Sequence, residues 1–354
     1  MSKVDIAKSQ RDIQMVKKYA FWNNKGGTGK TSIAFQALTL YAEMHPKERI
    51  LAIDVCPQAN LSELLLGGLN NKGSDKLLAR QGLMPRCSVG GYFQLRLPSP
   101  YTVPAFNADD FITHPRDLNS AIPDNLDLVC GDPLLELQSN AVNTLANNQI
   151  PGSNPWIRVV DWLRDFTAQV ENRYDTIFLD CNPSFSLYTQ IALAASDQLV
   201  LPVMADDSSR RAIQNAFSLV YGLKLPSEIY TAFAFATKLK DAGRNLPKVN
   251  LIVKNRLTQY MGAASAYEAV LKAIERDVGK LLTSNPEIFN FSTIEDGFVE
   301  IRDFGTTGVV AFAKGLPFSK VPVGKQTVNG HRVQVKKDYL VNAQTAMNDV
   351  VGHL

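Results

Sequence analysis

Two apolar rhythms alternate along this chain. Tyr19-Ala-Phe-Trp-Asn23 is a short apolar run suited to a buried strand, and from Ser32 to Met44 Ala, Leu and Phe recur at helical spacing. Ile50-Leu-Ala-Ile53 and Thr176-Ile-Phe-Leu179 are further strand-like runs, each closed by a carboxylate, Asp54 and Asp180. Asn125-Leu-Asp-Leu-Val129 reads as another strand, and Trp156 to Val170 has helical periodicity. Short apolar strands separated by helical segments predict an α/β fold. Its central sheet is mostly parallel, helices cover both faces, and functional residues gather at the carboxyl ends of the strands.

Between Gly67 and Asp124 that rhythm breaks. LNNKGSDK, LPSPYTVP and FNADD are rich in Gly, Pro, Asn and Asp, and the stretch is much longer than an ordinary connection. It reads as a loop-rich insertion at about 68–124 on the carboxyl-end face, with a little structure of its own around Val89 to Leu97. The remainder reads as one domain, 1–325, followed by a tail or helix, 326–354. In that tail Leu340, Met347, Val350, Val351 and Leu354 are set against Asp338, Asn342, Gln344, Asn348 and Asp349. Acids where an anionic lipid surface needs lysines point to a packing helix and to no membrane contact.

Composition narrows the class. With 354 residues, 45% hydrophobic and 20% charged, the chain can bury a sizeable core, and it has no apolar run long enough to span a bilayer. MSKVDIAKSQRDIQMVKK lacks the apolar centre of a secretory signal. The roughly 17 residues before the first strand are too few for a helix-turn-helix reader of DNA. Cys56, Cys87, Cys130 and Cys181 are scattered, with no C-x-x-C pair, so neither a disulfide framework nor a zinc site is indicated. A cytoplasmic protein is expected.

The candidate chemistry lies in KGGTGKT, Lys25 to Thr31. Gly26, Gly27 and Gly29 can take backbone angles closed to other residues, so successive N–H groups turn inward and make an anion site at a helix start. Thr28 and Ser32 complete the loop, Lys30 has the place of the lysine that reaches β- and γ-phosphates, and Thr31 has the place of the hydroxyl that binds Mg²⁺. Asp180, a carboxylate ending a buried strand, needs a partner, and hydrated Mg²⁺ is the natural one; Asp54 follows the same logic. ATP with Mg²⁺ is the expected ligand.

Asn24 stands where a general phosphate loop has its first glycine, and a second lysine, Lys25, precedes the usual one. In these two respects the loop resembles that of the ParA/MinD family of deviant Walker A ATPases, KGGxxGK[ST]. Arg49 to Ser62, with AIDVCPQAN, resembles the family's second strand and switch I. Tyr174 to Ser184, with FLDCNPS, resembles its Walker B strand and switch II. Asp197-Gln-Leu-Val-Leu-Pro202 and Leu251-Ile-Val-Lys-Asn255 resemble the next strands, and Val299 to Pro317 the closing helix region. The match runs from about Lys17 to Pro317.

The resemblance implies specific roles. Lys25 would cross a homodimer interface to the phosphates of the other subunit's ATP, so that nucleotide state and dimer state become one equilibrium. Thr31, Asp54 and Asp180 would hold Mg²⁺, Asn255 would contact the base, and Lys25, Lys30 and Asp54 would serve catalysis. Cys56 departs from the family, whose D-x-D-P-Q carries there an acid that positions the attacking water. A neutral thiol is a poor acceptor, so hydrolysis is expected to be slow, and a non-hydrolysing regulator stays open as an alternative.

A second thiol near that end of the sheet, Cys181, raises a redox pairing, with buried filler the commoner use. A MinD-like membrane cycle lacks a suitable tail. An electron carrier lacks paired cluster cysteines. The 37 basic and 34 acidic residues leave a small net charge, but Arg210, Arg211, Lys238, Lys240, Arg244, Lys248, Lys254 and Arg256 form local clusters. Relatives bind DNA without sequence preference through such surfaces, which would make the protein nucleoid-associated, and a ParB-like or other adaptor is the expected protein partner.

Overall fold

The computed structural model describes residues 15–204, 206–257 and 264–354. Its main sheet has eight strands: β1 (Lys17–Phe21), β2 (Ile50–Val55), β3 (Ile112–Thr113), β4 (Leu126–Val129), β5 (Thr176–Cys181), β6 (Gln198–Met204), β7 (Lys248–Leu257) and β8 (Phe298–Arg302). They lie in the order β3-β4-β2-β5-β1-β6-β7-β8. Every pairing is parallel except that of the two-residue edge strand β3 with β4. The α/β class and the mostly parallel sheet expected from the sequence are what the structure shows.

Near-continuous apolar runs are what a strand buried on both faces requires, and period-two alternation divides each run between two cores. Tyr19, Phe21, Ile50, Ala52 and Phe178 face one side, where they meet Phe35, Leu38 and Tyr41 of the helix Lys30–Met44. Ala20, Trp22, Leu51, Ile53, Ile177 and Leu179 face the other, against Trp162, Leu163 and Phe166 of the helix Trp162–Val170. Because β1 lies between β5 and β6, the connections on either side of it diverge, and a crevice opens at its carboxyl end.

The 68–124 segment holds more regular structure than its loop-rich composition suggests. It contains the helices Gly73–Gln81 and Val89–Arg96 and a short 3₁₀ turn, Ala108–Phe111. The reason is aromatic packing. Tyr92, Phe93 and Phe111 are buried; Tyr92 meets Phe166 at 5.1 Å between centroids, and Phe93 meets Trp162 at 5.4 Å. Arg96, only 1% exposed, donates to Asp165 at 2.6 Å and to the Tyr92 hydroxyl at 3.0 Å. The segment is therefore fastened to the domain core.

At the other end of the chain, a hairpin (β9, Gly324–Val328; β10, His331–Val335) leads into the helix Lys337–Gly352. That helix buries Leu340, Ala343, Met347, Val350 and Val351 within the same core as the helix Lys30–Met44. Its apolar stripe is used up in packing, and among the described residues no helix is long and apolar enough to cross a membrane. Met347→Ala should lower unfolding free energy by about 2–5 kcal/mol, the usual range for emptying a buried aliphatic site. Urea titration followed by circular dichroism measures it; a variant as stable as the parent would show that this helix is not part of the core.

Candidate functional site

The phosphate loop leaves the carboxyl end of β1 and enters the helix Lys30–Met44. Gly29 precedes that helix with φ +81°, a left-handed value, and a Cβ built there would lie 2.1 Å from the Asn255 amide nitrogen. No side chain fits at this position. The close approach brings β7 onto the loop: Asn255 donates from Nδ2 to the Thr28 carbonyl at 2.8 Å. Asn255 is thus seated on the loop, next to where the phosphates are expected.

Lys30 is 8% exposed and, among the described residues, has no carboxylate within ion-pair distance. A buried cation in the first turn of a helix, where backbone N–H groups lack intrahelical partners, makes a strong anion site. Thr31 donates its hydroxyl to Asp180 Oδ2 at 2.7 Å, while Asp180 Oδ1 is buried without a hydrogen-bond partner. An orphaned carboxylate oxygen beside a threonine hydroxyl fits a hydrated divalent ion, which supplies the missing positive charge. Ser32 follows in the first turn of the helix.

Asp54 is bonded within its own switch loop. Its Oδ1 accepts from the Cys56 amide at 3.1 Å, and its Oδ2 from the Ser62 amide at 2.9 Å and the Ser62 hydroxyl at 2.8 Å. The carboxylate holds its own switch loop from within, in addition to any part it takes in binding Mg²⁺ or in catalysis. Three local donors already occupy it. Ser62 Oγ in turn accepts from the Gly131 amide at 2.8 Å, and a Cβ on Gly131 would come within 2.8 Å of the Asp54 carboxyl carbon. This ties β2 to the end of β4.

Asp54 and Asp180 stand opposite each other in the β2–β5 register. Burial pushes both carboxyls above the usual range; the Asp180 charge adds to the effect at Asp54, and Lys30 and Thr31 oppose it at Asp180. Burial, followed by the Asp54 and Asp180 charges, also raises the Cys56 thiol to about 12. It is a neutral thiol at physiological pH. Cys181 is fully buried and likewise pushed upward by burial, and all four cysteines are buried free thiols.

Lys25 turns inward to its own chain: Nζ lies 2.5 Å from Asp206 Oδ2 and 3.2 Å from Ser209 Oγ. Burial alone would raise the Asp206 carboxyl, but Lys25, Ser208 and Ser209 bring it down to about 2. Asp206 also caps the helix Asp207–Tyr221 by accepting from the Ser209 amide at 2.7 Å. Sequence reasoning missed Asp206 and Ser209, although D-x-x-S ahead of an apolar-periodic stretch is a readable N-cap signal.

The basic residues do not form one surface. Arg210 sits in the first turn of that helix and donates to Asp277 at 2.8 Å, with Arg211 beside it, at the same end of the sheet as the phosphate loop. Lys248 begins β7 opposite Gln198, at the far end of the sheet. Lys238 lies over the Trp156 ring at 5.1 Å, and Arg244 donates to Asp161 at 2.7 Å. Lys254 is buried against Glu275 and Glu300. Lys240 and Lys248 are exposed. Arg256 lies outside the described side chains. Most of these cations are already paired or stacked, and they sit at opposite ends of the strands.

Residues 16–225, more than half of the chain, match the family described as an AAA domain, AAA_31. The chromosome-partitioning ATPase Soj of Thermus thermophilus is 28% identical over 191 residues, 54% of this chain and 56% of Soj. The cell division protein PomZ of Myxococcus xanthus is 26% identical over 208 residues, 59% of this chain and 52% of PomZ. The chain spans about half the length of the curated relatives it matches. Among solved structures, apo McdA of Cyanothece superposes with a TM-score of 0.55 at 15% identity, covering 86% of this chain and 92% of that one. A putative plasmid partition protein of Borrelia burgdorferi, bound to AMPPNP, gives 0.50 at 14% identity, covering 96% and 100%. At such identities the structural likeness speaks for the fold.

The buried acidic pair makes a prediction about pH. Folded carboxyls with raised pKa values hold protons that the unfolded chain releases, so unliganded stability falls as pH climbs above the ordinary carboxylate range. Asp180→Asn removes one of the two charges and keeps an oxygen for Thr31. It should raise unliganded stability at pH 8 by about 1–3 kcal/mol and flatten the pH dependence. Urea midpoints at pH 5 and pH 8 decide this; a variant that is less stable at pH 8 would overturn it.

Proposed function

This chain belongs to the ParA/MinD-type family of AAA domains, whose members include partition and positioning ATPases, and from that premise we propose that it is an ATP-driven dimerisation switch. The observation that carries the reading is Lys30, a buried lysine without an ion partner among the described residues, at the start of a helix directly after the left-handed Gly27 and Gly29. Triphosphate supplies the missing negative charge. Gly26, Gly27, Thr28, Gly29 and Ser32 would shape the cradle, with Asn255 bracing it from β7.

Thr31 and Asp180 are the residues that would hold Mg²⁺, which neutralises phosphate charge when bound. Lys25 would exchange Asp206 of its own chain for the phosphates of a second subunit's ATP. Such an exchange swaps one anionic partner for another and joins two protomers, so ATP favours the homodimer more than ADP does. Hydrolysis ends the cycle, and it is slow because Cys56 offers a protonated thiol where relatives carry an acid. The dimer then persists until a partner protein, such as a ParB-like adaptor, promotes its release.

Duplex DNA remains a proposed partner through exposed cations such as Lys240 and Lys248. Phosphate contact would make the affinity fall steeply with salt and ignore sequence. A gel-shift series with and without ATP tests this, and no ATP-dependent binding at low salt would leave protein partners alone.

Two measurements test the switch. Isothermal titration with Mg·ATP should show affinity reduced by at least about tenfold in Lys30→Ala, the loss of a charge-assisted hydrogen-bond donor; unchanged affinity removes the reading. Sedimentation velocity with a slowly hydrolysed ATP analogue should show dimers for the parent and monomers for Lys25→Ala. Equal dimerisation of the two would mean that Lys25 does not bridge subunits.

A further inference from the structure

The thiol at Cys56 leaves a vacancy in the proposed hydrolysis, and the neighbouring strand supplies a candidate to fill it. Val55 of β2 is in register with Cys181 of β5, so Cys56 and Asn182 follow side by side past the carboxyl ends of adjacent parallel strands. Such strands run about 4.8 Å apart. Asn182 directly follows the Asp180-Cys181 pair, and it is half-buried.

Its amide is fixed in one orientation by three other groups. Nδ2 donates to the Tyr188 hydroxyl at 2.7 Å and to Ser184 Oγ at 3.1 Å. The Tyr188 hydroxyl lies 3.5 Å from Glu136 Oε1, a group that only accepts. With the tyrosine proton directed to Glu136, its oxygen accepts from Asn182, and the network favours this amide orientation. Both N–H groups are thereby used. Oδ1 accepts no hydrogen bond among the described residues, so the remaining polar atom of the side chain is an open acceptor two residues past Asp180.

We propose that Asn182 Oδ1 accepts a hydrogen bond from the attacking water and orients it, doing with an amide what relatives do with the acid at the Cys56 position. The inference rests on the ATPase reading above. In the reaction the water oxygen bonds to the γ-phosphorus, the bond from that phosphorus to the β,γ-bridging oxygen breaks, and the electron pair leaves on ADP. An amide cannot take the water's proton, which passes to the phosphate product. Orientation without proton abstraction gives turnover that is slow yet real, and it draws no pH dependence from Asn182 itself.

The experiment measures ATP affinity by titration and single-turnover phosphate release for five proteins: parent, Asn182→Ala, Asn182→Asp, Tyr188→Phe and the double variant Cys56→Asp/Asn182→Ala. Asn182→Ala should release phosphate on the order of 10²-fold more slowly, the usual penalty of a misplaced reacting group, with ATP affinity within about twofold. Tyr188→Phe, which frees the amide to flip, should lose part of the rate. Asn182→Asp should retain turnover and acquire an acid limb in its pH–rate profile.

The decisive arm is the double variant. A carboxylate restored at position 56 should return release to at least the parental rate, which a purely structural role for Asn182 would not allow. Parental release by Asn182→Ala, no rescue by Cys56→Asp, or a parent that binds ATP without hydrolysing it would each overturn the assignment while leaving the nucleotide reading intact. A parent that binds no ATP takes both down.

Discussion

Asp54 and Asp180 face each other across one rung of a parallel ladder, both buried, at the point where β2 and β5 end. Two carboxylates so placed repel each other and lack water, and much of the surrounding architecture can be read as a response. Asp54 is neutralised locally by two backbone amides and a serine hydroxyl, which folds the switch helix Asn60–Leu65 back over the strand end. Asp180 has one hydroxyl and the field of Lys30, and keeps one oxygen unsatisfied. The asymmetry gives the two acids different roles. Asp54 is tied into its own loop, whereas Asp180 keeps an oxygen open.

Most of the fold could be read from the sequence because strands buried on both faces write themselves as uninterrupted apolar runs. Lys17–Phe21, Ile50–Val55 and Thr176–Cys181 each show it, and the glycines between β1 and its helix marked the loop by composition alone. The 68–124 segment was less legible. Its helices are short, and its anchoring depends on Arg96 and Tyr92 meeting Asp165 and Phe166, residues some seventy positions away that no local periodicity reveals. Polar composition suggested loop, and tertiary contact supplied order.

The site was legible in kind and less so in partnership. A motif names Lys25, Lys30, Thr31 and Asp180, but it does not say that Lys25 lies against Asp206 and Ser209, or that Asn255 braces the loop through Thr28. Those facts depend on where β6 and β7 end relative to β1, which is a property of the assembled sheet. The basic residues show the opposite error. Proximity in sequence suggested proximity on a surface, yet Lys248 is exposed at the start of β7 while Lys254, six residues on, is buried near its other end.

The Ser62 hydroxyl also accepts from Gly131, and the next residue, Asp132, is gripped by Arg86 and Ser88 of the inserted segment. A chain of only four residues thus links the switch loop to the insertion. Such a joint behaves like a hinge pin: the outer parts of the insertion can change in length or sequence to suit whatever they touch, while the pin tolerates almost no substitution. Gly131 in particular has no room for a methyl group between Asp54 and Ala59. Substitutions at the exposed Thr102, Val103 and Ala105 should therefore be tolerated where a single methyl group at Gly131 is not.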